Sequence, residues 1–245
     1  MIRRPLRVFT GLWPLLVAVA FLRAAEPAEP PPATVQFIAL SALPGVWIDD
    51  GSPRPERLSA SPNRFSPPRP VPAGGRLELY REEPAETPGQ PPRRVPVAQT
   101  RVSTEPGANT LVVLHQPNRA AEPRWPADRP KVTLLDIRLP THGPGSVRAV
   151  NLGTRPIGLK IDGKPARLEP GASLVSAPLT GAKPWLQAAV LGGGGWQRVI
   201  GGPVRVREGE RLTVFFLDPL PIDGDPFPFG TQMRKVADRP PPVAE

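Results

Sequence analysis

Five blocks of the sequence occur twice in the same order, and the two copies of each block lie about 100 to 115 residues apart. The longest match runs without a gap, from residues 97–117 in the first copy to residues 199–219 in the second. The four shorter matches pair residues 35–40 with 147–152, 45–49 with 158–162, 55–58 with 165–168, and 76–79 with 185–188. Solenoid repeats have periods of only about 20 to 50 residues. The sequence therefore predicts two tandem copies of one domain.

The repeated blocks are typical of short β-strands separated by turns. Residues 110–114 and 213–217 are continuous apolar runs, which suit strands that are buried on both sides. Asp-Gly dipeptides, common in tight hairpin turns, follow Ile48 and Ile161 closely. The 39 prolines disfavour long helices, because a proline inside a helix costs about 3 kcal/mol. We predict an all-β chain of two tandem immunoglobulin-like β-sandwich domains after a signal peptide.

The N-terminus has the order of features found in a secretory signal peptide. Residues 1–7 carry three arginines, residues 8–22 are mostly apolar, and small residues follow before Glu26. The apolar run is shorter than the roughly 20 residues that a membrane-spanning helix needs. We expect cleavage near Ala24 or Ala25 and a mature protein that is periplasmic or extracellular. An N-terminal segment kept as a membrane anchor is the alternative.

Composition shifts along the chain predict the domain boundaries. We assign residues 1–25 to the signal peptide, 34–139 to the first sandwich and 140–221 to the second sandwich, with a hinge at residues 140–144. From Ile222 the sequence becomes polar, so residues 222–245 are predicted to be a C-terminal tail that is partly disordered. No segment after the signal peptide is apolar enough to span a membrane.

Charge and cysteine content exclude several classes of function. The formal net charge is +9, but the chain has no long run of like charges and no basic helix, so nothing beyond the high charge suggests nucleic-acid binding. The chain has no cysteine, which excludes disulfides, thiol catalysis and cysteine-ligated zinc.

The residues that usually carry catalysis are few. Only two histidines occur, and we expect His115 at a strand end and His142 in a solvent-exposed loop. No Gly-x-Ser-x-Gly motif is present. We predict that the chain is not an enzyme and that it has no catalytic residue, no metal site and no cofactor.

Three polar or glycine-rich features have simple structural interpretations. We interpret the aspartates near residue 220 as an acidic turn rather than a calcium loop, since the EF-hand order is absent; they are Asp218, Asp223 and Asp225. The run of four glycines at residues 192–195 is predicted to connect two strands, because no Lys-Ser/Thr follows it. Asn151, between apolar strand residues, is predicted to bond a loop backbone.

Four aromatic residues are the candidate ligand or partner surface: Trp47 and Tyr80 in the first copy, and Trp185 and Trp196 in the second. Val46 and Ile48 flank Trp47, so strand alternation points Trp47 away from the core face. The second copy has Lys160 at the equivalent position. Exposed tryptophans can stack on a sugar or anchor a protein partner. Packing of Trp47 under the proline-rich loop or against the second domain is the alternative.

Three motifs in the second copy carry a resemblance: Val-Arg-x-Val-Asn-Leu-Gly at 147–153, Gly-Leu-Lys-Ile-Asp-Gly at 158–163, and Arg-Leu-Glu-Pro-Gly at 167–171. Their order resembles bacterial secreted β-sandwich domains of unknown function, which are sometimes found in tandem. The layout of a signal segment and two sandwiches is similar to the periplasmic accessory family of alginate O-acetylation. These resemblances imply an interaction or assembly role and supply no catalytic residue.

Together these features predict a secreted, non-enzymatic interaction or assembly protein of the bacterial cell envelope. Edge strands would offer backbone hydrogen bonds, and exposed aromatic side chains would offer anchors. The alternative is a carbohydrate-binding module for envelope polysaccharide. The expected partner is thus an envelope protein or a polysaccharide, and no nucleic acid. Exposed aromatic residues on one face would favour the polysaccharide, and buried ones would count against it.

Overall fold

The computed structural model describes residues 30–49, 55–85, 87, 89–117, 122, 124–126, 129–179, 184–222, 224–225 and 228–240. The predicted signal peptide lies outside these residues. The described chain is all-β, with sixteen strands and a 3₁₀ turn at Ala73–Gly75. None of the described residues forms a helix that is long and apolar enough to cross a membrane.

The first copy forms a sandwich of two four-stranded sheets. Sheet A has the order β4-β1-β7-β8, and sheet B has the order β3-β2-β5-β6. Strands β1 and β7 are parallel, and the other neighbours are antiparallel. The strands are β1 (Thr34–Ala39), β2 (Val46–Asp49), β3 (Glu56–Arg57), β4 (Arg69–Pro70), β5 (Arg76–Glu83), β6 (Arg93–Arg101), β7 (Asn109–His115) and β8 (Lys131–Asp136).

The second copy repeats this topology strand for strand. Sheet C has the order β12-β9-β15-β16, with β9 and β15 parallel, and sheet D has the order β11-β10-β13-β14. The strands are β9 (Val147–Asn151), β10 (Ile157–Ile161), β11 (Lys164–Leu168), β12 (Ser173–Val175), β13 (Trp185–Gly192), β14 (Gly195–Pro203), β15 (Arg211–Leu217) and β16 (Gln232–Asp238). The predicted fold class, all-β with two sandwiches, is confirmed.

A β-bulge shows how closely the copies correspond. The register of β5 against β6 shifts between Leu79 and Tyr80. The register of β13 against β14 shifts between Ala188 and Ala189, the equivalent position in the repeat. A bulge is a specific local feature that sequence families tend to keep. Each residue of one copy can therefore be compared with its counterpart in the other, and Tyr80 takes the place of Ala189.

The two sandwiches share a third apolar core. Each sandwich has its own core between its two sheets. A further buried cluster joins the outer side of sheet A to that of sheet C; its strand members are Ile38, Leu111, Val113 and Leu135 from sheet A and Val150, Phe215 and Val236 from sheet C. The layers therefore follow the order B, A, C, D. The apolar runs in β7 and β15 are buried on both sides, as predicted, because the other sandwich covers their second face.

The linker between the sandwiches is fixed by two buried arginines. The Arg211 guanidinium donates hydrogen bonds to the carbonyl oxygens of Ile137 and His142, and it forms an ion pair with Asp238 at 2.8 Å. Arg148 donates to the carbonyl oxygen of Asp136 at 2.6 Å. Both arginines stand on strands of sheet C, at its side facing sheet A. The sequence prediction of a hinge at residues 140–144 gave no sign of this anchoring, because the acceptors are backbone carbonyls.

His142 is fully buried, with 0% of its surface exposed. The prediction of a solvent-exposed loop position was therefore wrong. The sequence Thr-His-Gly-Pro has the composition of an exposed loop, but this loop lies against Arg148 and Arg211. Burial and the charges of these two arginines lower the pKa of His142 to about 3.

This depressed pKa predicts a loss of stability in acid. An unfolded histidine titrates near pH 6.5, so between pH 6.5 and 3 the unfolded chain binds more protons at His142 than the folded chain does. The free energy of unfolding therefore falls as the pH falls, by up to about 1.4 kcal/mol per pH unit from this group. We expect His142→Leu to reduce the loss between pH 7 and 4.5 by about 2 kcal/mol, measured by urea unfolding at both pH values. An equal loss in both proteins would contradict the prediction.

The second sandwich extends into the segment that we predicted as a tail. Residues 232–238 form β16, which pairs with β15 along its whole length. Only Val236 of this strand is fully buried, whereas Arg234 and Lys235 are exposed. Such a sparse apolar pattern is typical of an edge strand and resembles a polar tail in sequence.

Candidate ligand-binding face

The outer face of sheet D carries the two most exposed tryptophans of the described chain. Leu186, Ala188 and Val190 of β13 point into the core, so Trp185, Gln187 and Ala189 point outward. The cross-strand pairs extend this face over all four strands. We call it the D face and define it by Gly158, Lys160, Arg167, Trp185, Gln187, Ala189, Trp196 and Arg198.

The Trp196 side chain lies across the D face. A methyl group on Gly158 would stand 3.0, 3.1 and 3.5 Å from three atoms of the six-membered ring, Cε3, Cζ3 and Cδ2. These nearly equal distances place the flat side of the ring, rather than its edge, over Gly158. Trp196 starts from β14 and reaches β10 across β13, where the small Ala189 leaves room. The residue remains 45% exposed, so part of the indole meets solvent.

A shallow groove of about 340 Å³ adjoins this indole. Lys160, Gln187 and Arg198 contribute its polar groups, and Arg167 lies 5.9 Å from the centre of the Trp196 ring. Arg167 forms an ion pair with Glu169 at 2.5 Å. Lys160 and Arg198 are exposed and have no ion pair with any acidic residue that the structure describes. The groove therefore combines an apolar platform with two uncompensated positive charges.

Trp185 lies on the same face, nearer the other end of β13. It is 47% exposed. A methyl group on Gly201 would stand 3.6 Å from Arg198 Cδ and 4.0 Å from Trp185 Nε1, so both side chains pass close to Gly201. The structure thus brings Trp185 and Trp196 onto one face, with polar residues between them.

The first copy has a closed face at the equivalent place. Tyr80 is only 1% exposed, and the Arg94 guanidinium lies 4.7 Å from its ring centre. In the repeat Arg94 corresponds to Trp196. A planar side chain from this position therefore lies over the outer face of sheet B in the first copy and over that of sheet D in the second. Burial raises the pKa of the Tyr80 hydroxyl. Trp47 pairs with Tyr80 across the strands and is half-buried rather than fully exposed.

Some charges on and around the outer face of sheet B are paired, whereas Arg57 and Arg101, which are exposed on the same sheet, have no ion pair with an acidic residue that the structure describes. Arg94 contacts Asp49 at 3.4 Å, Arg93 contacts Glu83 at 2.8 Å, and Arg76 contacts Glu78 at 3.1 Å. The two copies therefore differ at equivalent positions: the outer face of sheet B (the B face) holds a covered Tyr80 and an arginine paired with Asp49, and the D face holds an exposed Trp196 beside Lys160 and Arg198.

Other polar residues singled out in the sequence are buried or hydrogen-bonded within the protein. His115 is buried at the end of β7, and burial together with Lys131 lowers its pKa to about 4. Asp218 accepts hydrogen bonds from the backbone and hydroxyl of Thr154. The prediction for Asn151 is confirmed, since its amide nitrogen donates to the carbonyls of Arg155 and Leu168.

The glycine run and Asp225 lie at turns of the described chain. Residues 192–195 form the tight turn between β13 and β14, as predicted. Asp223 lies outside the described residues, and Asp225 forms a bridge with Ile222. Within the part of the chain that the structure describes, no group of three acidic or histidine side chains could hold a metal ion.

Two larger cavities, of about 540 and 720 Å³, lie between the sandwiches. The first is lined mainly by leucines and prolines, among them Leu40, Leu152 and Leu217. The lining of the second includes Arg211 and Asp238, which form an ion pair with each other. The groove on the D face is smaller than these cavities, but it combines an exposed tryptophan with two cations that have no ion pair among the described residues.

No family model matches the chain, and no curated protein matches it either. The resemblances drawn from its motifs remain predictions.

Proposed function

We propose that the protein is a non-enzymatic binding protein of the bacterial cell envelope and that it binds polysaccharide through the D face. The observation that carries this proposal is the Trp196 indole, which rests one side on Gly158 and remains 45% exposed, with the Arg167 guanidinium 5.9 Å from its ring centre. A side chain held in this way presents a flat, preformed surface.

A sugar ring is well suited to such a platform. One side of a pyranose ring exposes C–H groups, and these are attracted to the negative face of an aromatic ring. The sugar hydroxyls then need polar partners, which Gln187, Lys160 and Arg198 supply around the groove. Ligand sites commonly combine an apolar surface with a few polar groups that fix orientation.

The lining of the groove favours binding over hydrolysis. A glycosidase needs two carboxyl groups on either side of the scissile bond. The residues that line the D-face groove include no aspartate, glutamate or histidine. The cell-envelope location is supported by the predicted signal peptide.

A protein partner is a second candidate, and one observation favours it. Strand β14 is a nine-residue edge strand of sheet D. An extended segment of another protein could pair with such an edge through backbone hydrogen bonds. In that case the Trp196 side chain would be dispensable.

Trp196→Ala tests the proposal directly. We expect the variant to bind envelope polysaccharide at least about ten-fold more weakly than the wild type, because the stacking surface is lost. Affinity electrophoresis through gels that contain purified polysaccharides measures this loss. Trp125→Ala is the matched control, since Trp125 is 37% exposed but lies in the first copy. Equal retardation of the Trp196→Ala variant and the wild type would refute the assignment of the D face.

A further inference from the structure

We infer that the D face selects acidic polysaccharides, namely glycans whose sugars carry carboxylate groups. This inference rests on the proposed function and goes beyond it by naming the ligand's charge. Its basis is the placement of two cations, Lys160 and Arg198, around the exposed indole of Trp196.

The register of sheet D places these cations on opposite sides of β13. Lys160 pairs across β10 and β13 with Gln187, and Arg198 pairs across β13 and β14 with Ala189. Neighbouring strands are about 4.8 Å apart, so the two backbone positions lie about 10 Å apart across the strands. A sugar ring on the platform between them would have a cation within reach on either side.

The charges of the groove are all of one sign. Its charged lining residues are Lys160, Arg167 and Arg198, and no acidic side chain lines it. Only Arg167 has an acidic partner among the described residues, Glu169. A cleft lined by one sign of charge concentrates ions of the opposite sign. The planar guanidinium of Arg198 also matches the geometry of a carboxylate.

The first copy has different side chains at the positions that correspond to Trp196, Lys160 and Arg198. Arg94, the counterpart of Trp196, contacts Asp49, and the neighbouring Arg93 contacts Glu83. The equivalent of Lys160 is the uncharged Trp47, and the equivalent of Arg198 is Pro96. Lys160 and Arg198 are therefore specific to the second copy, whereas Arg167 has a counterpart in Arg57.

Oligogalacturonate and its fully methyl-esterified form are the probes, because they share a backbone and differ in charge. By calorimetry we expect the protein to bind the acidic oligomer at least about ten-fold more tightly at 0.01 M salt, where charges act over about 30 Å. The preference should shrink to about two-fold at 1 M salt, where that range is about 3 Å.

Two variants locate the effect. In K160Q/R198Q we expect the affinity for the acidic oligomer to fall about ten-fold, to that of the ester. R234Q is the matched control, because Arg234 is an exposed arginine on β16 of sheet C, and it should bind as the wild type does. Circular dichroism and thermal unfolding confirm that each variant is folded.

The outcomes separate this inference from the proposed function. Equal binding of both oligomers, lost in Trp196→Ala, would overturn the acidic preference and leave the polysaccharide function standing. If the protein bound neither oligomer, the acidic preference would be overturned. If, in addition, none of the polysaccharides retarded the protein in affinity electrophoresis, the proposed function would be overturned as well. Tighter binding of oligothymidylate than of oligogalacturonate would identify the site as one for single-stranded nucleic acid, which also uses stacking and positive charge, and would overturn the inference.

Discussion

Replacing Arg211 by methionine should lower the free energy of unfolding by about 3–5 kcal/mol, the usual cost of removing one partner from a buried ion pair. Arg211 is 1% exposed. Its loss would leave the carboxylate of Asp238 and the carbonyl oxygens of Ile137 and His142 without their donor. Urea unfolding followed by circular dichroism at pH 7 measures the change.

Arg234→Met on β16 is the control for this variant, because Arg234 is exposed and should change stability by less than about 0.5 kcal/mol. Adding Asp238→Leu to Arg211→Met should restore part of the loss, since the double variant no longer buries an unpaired carboxylate. A loss below 1 kcal/mol in Arg211→Met would show that the linker does not depend on this arginine.

Phe215→Ala and Phe216→Ala should each destabilise the protein by about 3–5 kcal/mol, but at different places. Both side chains are fully buried. Phe215 belongs to the core between the sandwiches, and Phe216 belongs to the core of the second sandwich. Adjacent strand residues point to opposite faces, so the two variants probe two cores with the same chemical change.

Limited trypsin digestion distinguishes the two variants. We expect Phe215→Ala to open the contact between sheets A and C and to speed cleavage after Arg138 in the linker while both sandwiches stay folded. Phe216→Ala should increase cleavage throughout residues 147–238, because it loosens the second sandwich itself. Identical cleavage patterns would contradict the assignment of Phe215 to a separate core.

The sequence repeat predicted the architecture well, because duplicated strands share local signals. The apolar run at residues 213–217 was correctly interpreted as a strand buried on both sides. The sequence could not predict which sheet covers the second side of this strand. An apolar strand looks the same whether that side packs on a sheet of its own sandwich or on a sheet of the other sandwich. Strand β16 was missed because an edge strand needs few apolar residues, and His142 was misplaced because its burial depends on arginines distant in sequence.

The candidate site was predicted in part. Trp185 and Trp196 were named from the sequence, and the structure places both on one exposed face. Strand alternation correctly placed Trp47 and Lys160 on the outward side of their strands. It could not predict that Arg94 covers Tyr80, because this contact depends on how β6 pairs with β5. Lys160 and Arg198 were not recognised as site residues because each is an isolated cation in the sequence. The available signal was the pair of small outward residues, Gly158 and Ala189, on neighbouring strands.

The order of the four sheets decides what duplication could achieve in this protein. Because the copies are joined back to back through sheets A and C, the outer faces of B and D look in opposite directions, about 30 Å apart at the usual 10 Å spacing of stacked sheets. Side-by-side copies would have doubled the length of one track for a polymer. Back-to-back copies instead make a two-sided plate, in which a polymer bound to the outer face of sheet D would leave the outer face of sheet B open to a contact of another kind.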